Sequence, residues 1–198
     1  MSLGLARRAV VAVRRAAAAT ATVTDTFNRA NSTTTLGNAD TGQAWAVFTT
    51  GAVFGITGNQ AYMVSSTNGT TTADWVAVDS TVADCTAQIT VAVAAANCGL
   101  AARLSDENNT LLVNVGAGNA LRLFRRAGSY VELGGSGSVV SSDVIALTMS
   151  GSTLQMKKNG VVILTVTETL NQTQTRHGFQ INDAASGIRF DDFAVTVP

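Results

Sequence analysis

From Asp25 onward the apolar residues fall in short runs that alternate with polar ones, and the only proline is the last residue, Pro198. Ile89, Val91 and Val93 flank Thr90 and Ala92; Ile145, Leu147 and Met149 flank Ala146 and Thr148; Leu121 and Leu123 flank Arg122. A side-chain period of two is that of a strand with one face buried. Gly58-Asn59, Asn68-Gly69, Asn159-Gly160 and the Gly134–Gly137 stretch punctuate the runs as turns. Asn159-Gly160, between Leu154-Gln-Met156 and Val161–Val166, specifies a two-residue hairpin. The series amounts to about twelve to fourteen candidate strands. It predicts an all-β fold, an antiparallel sandwich or jelly roll. Val161–Val166 is apolar on both faces, which predicts a central strand between two layers.

The first 20 residues have a different character. Residues 2–20 are Ala-rich and contain no acidic side chain. On a helical wheel Arg7 and Arg14 share one position and Arg8 and Arg15 the next, while Leu5, Ala6, Ala9, Val10, Val13, Ala16 and Ala17 take the opposite arc. This predicts an amphipathic helix of charge +4, ending where Thr20–Thr24 turns β-branched. The whole chain is formally neutral, so the remainder carries −4. The division expected is a basic helix over 1–22 and a β domain over 23–198. The apolar stretch Ala9–Val13 is broken by Arg14-Arg15 and is shorter than the core of a secretory signal, so a retained arm is expected.

Composition narrows the chemistry. Charged residues make up 13% of the chain, and Thr, Ser, Asn and Gly supply its polarity instead, a palette suited to strands and tight turns. No run reaches about 18 consecutive apolar residues, so no membrane-crossing helix is expected. Cys85 and Cys98 are expected as two buried free thiols, because a hairpin of 84–94 with 98–105 places them at opposite ends. His177 is the only histidine and no Gly-x-Ser-x-Gly elbow accompanies it, so it is expected at the surface or in a turn.

The stretches Asp25-Thr-Phe-Asn-Arg29, Asp40-Thr-Gly-Gln-Ala-Trp45, Gly99-Leu-Ala-Ala-Arg103 with Asp106-Glu-Asn-Asn109, Asn159-Gly160, His177-Gly-Phe179 and Phe190-Asp-Asp-Phe193 carry a resemblance. Over about residues 25–198 the chain resembles the concanavalin A-like lectin/glucanase jelly roll. The form it resembles is the LamG-like one, found in bacteriophage virion proteins and bacterial surface proteins. The glucanases of that superfamily use a closely spaced pair of glutamates. Glu107, Glu132 and Glu168 do not have that spacing, so no enzymatic activity is expected. The superfamily sometimes binds calcium, which implies Asp25, Asp191 and Asp192 as candidate ligands if the terminal strands pair; no other cofactor is implied. Sugar binding in such a fold implies exposed aromatic rings, and Trp75, Tyr130 and Tyr62 are the candidates. Trp45 and Trp75 both sit in strand-like contexts, so burial is expected of at least one, whereas Tyr130 lies near a turn.

The basic arm admits three roles: neutralising nucleic-acid phosphates, lying on an anionic membrane, or docking on protein. Four arginines without aromatics make a small footprint on nucleic acid, and the small-residue apolar face is weak for lipid. Protein docking is therefore expected, through Arg7, Arg8, Val10, Val13, Arg14 and Arg15. With the resemblance, this implies a non-enzymatic virion component of a tailed phage, a minor tail or head-decoration protein. Its partners would be other virion proteins and further copies of itself, with no nucleic acid and no membrane. The alternative reading is a carbohydrate-binding module that recognises cell-surface glycans of the host.

Overall fold

The structure is a computed structural model that describes residues 20–69 and 73–197. In chain order the strands are β1 (Thr20–Asp25), β2 (Ala46–Val47), β3 (Ala52–Thr57), β4 (Gln60–Ser66), β5 (Asp74–Asp79), β6 (Thr86–Val93), β7 (Cys98–Asp106) and β8 (Asn109–Val115). There follow β9 (Ala120–Ala127), β10 (Ser129–Ser138), β11 (Asp143–Ser150), β12 (Thr153–Lys158), β13 (Val161–Thr167), β14 (Arg176–Ile181) and β15 (Arg189–Val197). They form two sheets. The first runs β13-β12-β11-β6-β15-β4-β3 with β1 along β15, and the second runs β10-β9-β8-β7-β14-β5-β2. The pairings are antiparallel. This is the sandwich that the period-two pattern predicts.

The inner faces meet in one core. At its centre Trp45 lies 5.4 Å from Phe179 and 5.1 Å from Phe193, and Phe179 lies 5.0 Å from Phe190, centroid to centroid. Phe27 and Phe54 complete the cluster on Phe179 in edge-on contacts. Such tilted and T-shaped pairs add to the area term of burial. The last strand in sequence, β15, lies between β6 and β4 in one sheet, and β14 lies between β7 and β5 in the other. The sandwich is thus closed through its middle by its C-terminal segment.

Four expectations are corrected. First, β13 is an edge strand, paired to β12 alone within its sheet. Its second apolar face is not buried under a layer: Leu164 lies over Gly134 of β10, the edge strand of the other sheet, and Val161 and Val162 remain exposed. Second, β6 and β7 are not a hairpin, because β6 is in the first sheet and β7 in the second. Cys85 and Cys98 are nonetheless both free and buried. Third, His177 is fully buried, since β14 is central and its alternate residues His177, Phe179 and Ile181 turn inward. Fourth, the backbone is already extended from Thr20, so the boundary expected at 22/23 falls inside β1. The helical arm, with Arg7, Arg8, Val10, Val13, Arg14 and Arg15, lies outside the described residues. Among the described residues no helix is long and apolar enough to cross a membrane.

Candidate functional site

The second sheet has an outer face that the main core does not use. Register assigns its residues. Phe124 of β9 stands opposite Leu112 of β8, Leu112 opposite Ala101 of β7, and Ala101 opposite Gly178 of β14. One row along, Arg122 faces Asn114, Asn114 faces Gly99, Gly99 faces Gln180, and Gln180 faces Trp75 of β5. The middle of the face is thus Gly99, Ala101, Gly178 and Ala77, which raise little or no side chain, and larger groups stand on either side. A second apolar cluster forms here from Trp75, Ala77, Ala101, Leu104 and Leu112, with Phe48 and Phe124 against it.

A cavity of about 360 Å³ opens on this face. Its apolar wall is Leu112, Phe124 and Tyr130, with Ala73 opposite; its polar wall is Asn97, Asn114, Gln180 and Asn182, and Arg126 crosses it. Phe124 and Tyr130 meet edge to face at 6.1 Å. Tyr130 is 45% exposed and offers its ring to solvent. Arg126 is held in place rather than free: Nη1 donates to the Tyr130 hydroxyl at 3.2 Å and Nη2 to Asn108 Oδ1 at 2.9 Å. Its guanidinium carbon lies 4.9 Å from the Tyr130 ring centre and 5.9 Å from that of Trp75, within cation–π range. Burial raises the Tyr130 phenol above its usual pKa, opposed by the charge of Arg126, so the ring stays neutral.

Buried polar atoms without a partner concentrate here. Gln180 Oε1, Asn182 Oδ1 and Arg126 Nε, from three residues that line the cavity, make no hydrogen bond, and neither does the Trp75 indole N–H on the same face. Native interiors leave few such atoms, so a concentration of them points to a polar ligand or ordered water. An apolar wall joined to a few convergent amides is the composition of a small-molecule site.

The residues singled out from sequence separate in the fold. Tyr130 lines the cavity. Trp75 is on the same face but fully buried, so its ring presents no free surface. Tyr62 is on β4 of the other sheet, with the Arg189 guanidinium 4.8 Å from its ring centre. Pairing of β1 with β15 sets Asp25 opposite Phe193, which brings the Asp25 strand beside Asp191 and Asp192. Burial raises the Asp191 pKa, and the like charges of Asp192 and Asp25 add to it. The Asp25 oxygens, however, are engaged: they accept from Arg29 at 2.7 and 2.8 Å, from the Trp45 indole at 2.6 Å and from the Phe27 N–H at 2.8 Å. Among the described residues no group of three His, Cys, Asp or Glu is arranged to hold a metal. Asn97, Asn114, Phe124, Arg126, Gln180 and Asn182 were not legible as a site. The alternation of Leu121-Arg-Leu-Phe-Arg-Arg126 puts Phe124 and Arg126 on one face, but the pairing of β9 with distant strands is a tertiary fact.

One buried pair has the geometry of a nucleophile and a base without the chemistry. Cys85 Sγ lies 3.5 Å from His177 Nε2. The Arg103 N–H donates to His177 Nδ1 at 3.3 Å and Nε2–H donates to the Val82 carbonyl at 3.0 Å, an arrangement for a neutral imidazole. Burial pushes the thiol up to about 12 and the imidazole down to about 4. Both shifts oppose a thiolate–imidazolium pair, so these residues are structural. The glutamates are dispersed as well: Glu132 pairs with Arg122 at 2.7 Å, Glu168 lies 3.6 Å from Arg125, and among the described residues no carboxylate lines the cavity.

No protein-family model matches the chain, and no curated protein matches it in sequence. Solved structures do match in shape. Domain 4 of AbnA, a GH43 extracellular arabinanase from Geobacillus stearothermophilus solved with arabinotriose, aligns with a TM-score of 0.58 at 10% identity, over 90% of this chain and 92% of that one. The carbohydrate-binding module CBM66 from Bacillus subtilis aligns with a TM-score of 0.53 at 15% identity, over 77% of this chain and 91% of that one. The metal-free carbohydrate recognition domain of Emp46p aligns with a TM-score of 0.51 at 14% identity, over 77% and 86%. The chain therefore shares the fold of these domains, an antiparallel two-sheet sandwich of the jelly-roll kind. At these identities the likeness speaks to fold alone.

Proposed function

We propose that this protein is a non-catalytic carbohydrate-binding module whose site is the cavity on the outer face of the second sheet. The observation that carries the reading is the meeting there of the Phe124–Tyr130 edge with four amide side chains, Asn97, Asn114, Gln180 and Asn182. Sugar rings offer C–H groups to an aromatic face and hydroxyls that both donate and accept, and amides answer both roles. The similar folds of two domains named for carbohydrate binding or recognition, and of an arabinanase domain solved with arabinotriose, support the reading by analogy. Glycoside hydrolysis commonly uses two carboxyl groups flanking the bond, and the described residues of the cavity lining supply none.

The test is isothermal titration of the protein against a panel of soluble plant, bacterial and host-surface glycans. Saturable binding that Tyr130→Ala weakens about tenfold, with the melting transition retained, is the expected result. No binding to any glycan in the panel overturns the proposal. A virion role resting on the basic arm is a separate proposal. Its support lies outside the described residues, and immunogold labelling of particles tests it.

A further inference from the structure

Resting on the reading of the cavity as a glycan site, we infer that its ligand is an acidic sugar, a hydroxylated ring bearing a carboxylate. The charge inventory of the cavity carries the inference. Among the described residues Arg126 is the one charged member of the lining, and no carboxylate is among the others. Glu132, opposite Phe124 in register on this face, is engaged by Arg122 at 2.7 Å. Asp106, close to Asn108, holds Asn109 Nδ2 with both of its oxygens. Arg29, Arg103, Arg122 and Arg125 each reach a carboxylate. Arg126, like Arg176 and Arg189 elsewhere, makes no ion pair among the described residues. Its two hydrogen-bond partners, Tyr130 Oη and Asn108 Oδ1, are neutral, so they orient the guanidinium and leave its charge uncompensated.

A guanidinium has five N–H donors, and these partners take two of them. Its Nε–H is among the buried atoms with no acceptor. A positioned cation with spare donors is matched by a planar carboxylate, which accepts two parallel charge-assisted bonds. The other unpartnered atoms ask for the opposite. Gln180 Oε1 and Asn182 Oδ1 are acceptors, and Gln180 is 1% exposed. They are matched by hydroxyl donors. A neutral sugar answers the amides and leaves Arg126 without a counter-charge. A bare inorganic anion answers Arg126 and leaves the amide oxygens without donors. A uronate ring answers both while resting against Phe124 and Tyr130.

The experiment titrates the full chain with oligosaccharides of galacturonate, mannuronate and glucuronate, the methyl ester of each, a sulfated galactan oligosaccharide and neutral glycans. The expected result is binding of at least one uronate at an affinity about tenfold or more above its ester. That preference shrinks with added salt. Arg126→Gln is expected to bring the acid down to the affinity of the ester, and Arg126→Lys, which keeps the charge and loses the fork, to fall between them. Equal binding of acid and ester, or binding of neutral glycans alone, overturns the inference while the glycan reading stands. Binding of the sulfated oligosaccharide and of no uronate overturns the carboxylate assignment. No binding to any sugar overturns both proposals together.

Discussion

At the scale of single residues, polar side chains buried inside the sandwich decide more than their number suggests. Asp25 is 1% exposed and ties together Arg29, the Trp45 indole and the Phe27 N–H. Phe27 is held at φ 50, outside the usual range for a bulky residue, with its N–H anchored by Asp25. Asp40 joins the same cluster through Thr26. Asp25→Ala leaves Arg29 without its main counter-charge and the indole without an acceptor, and is expected to cost about 3 kcal/mol in urea denaturation. His177 sets a pH dependence. Its pKa falls from 6.5 to about 4 on folding because it is buried. Between those values the unfolded chain binds the proton and the folded one does not, so stability is full above about pH 6.5 and falls as pH drops toward 4. The loss at the bottom of that window is about 3 kcal/mol. In His177→Gln the slope of unfolding free energy against pH should flatten across this window. Asp40 and Asp79, held low by bonds from Thr26 and Thr175, lose their contributions only below about pH 4.

At the scale of elements, the centres of both sheets are built by the C-terminal strands. Strand β14 packs tightly between its neighbours: a Cβ at Gly178 would stand 2.0 Å from the Val76 carbonyl oxygen of β5. Gly178→Ala must push β14 and β5 apart and is expected to cost at least about 2 kcal/mol, read as a lowered melting temperature. Removal of residues 189–198 takes away β15, which pairs with β1, β4 and β6. The expected outcome is loss of the cooperative transition and of near-ultraviolet dichroism. A folded truncated form would show that the first sheet can close without its central strand. The hairpin of β12 and β13 turns on Asn159 at φ 49 and Gly160 at φ 79, the paired positive angles that Asn-Gly supplies. That hairpin was readable from the sequence because its signal is local. The edge position of β13 was not, because which strand lies beyond it is settled by pairing at long range.

At the scale of the whole molecule, the two sheets divide the labour. The first sheet carries β1 and buries the Asp25 cluster against the aromatic core. The second turns one face to that core and keeps the other for the cavity. The strands of the described residues pair into both sheets of the sandwich, so deletion of residues 2–19 is expected to leave the melting transition in place. Loss of that transition would mean that the arm is part of the fold. The arm and the cavity are also separable experimentally: Tyr130→Ala should leave any assembly role of the arm untouched, and the deletion should leave glycan binding intact.

The sequence by itself determined what is local in this protein. It carried the strand period, the Asn159-Gly160 turn, the small-residue palette of an all-β chain and the lack of a closely spaced glutamate pair, because each of these is encoded within a few residues. The exposure of Tyr130 was legible because a turn beside an aromatic residue is such a signal. The tertiary structure alone decided which faces are inner, that His177 and Arg103 are buried, that Trp75 is covered, and that Arg126 stands beside Gln180 and Asn182. Arg126 of β9 and Gln180 of β14 are more than 50 positions apart in sequence and share one face only because β14 inserts beside β5 and β7. Side-chain alternation states that a strand has two faces; only sheet order states what each face meets.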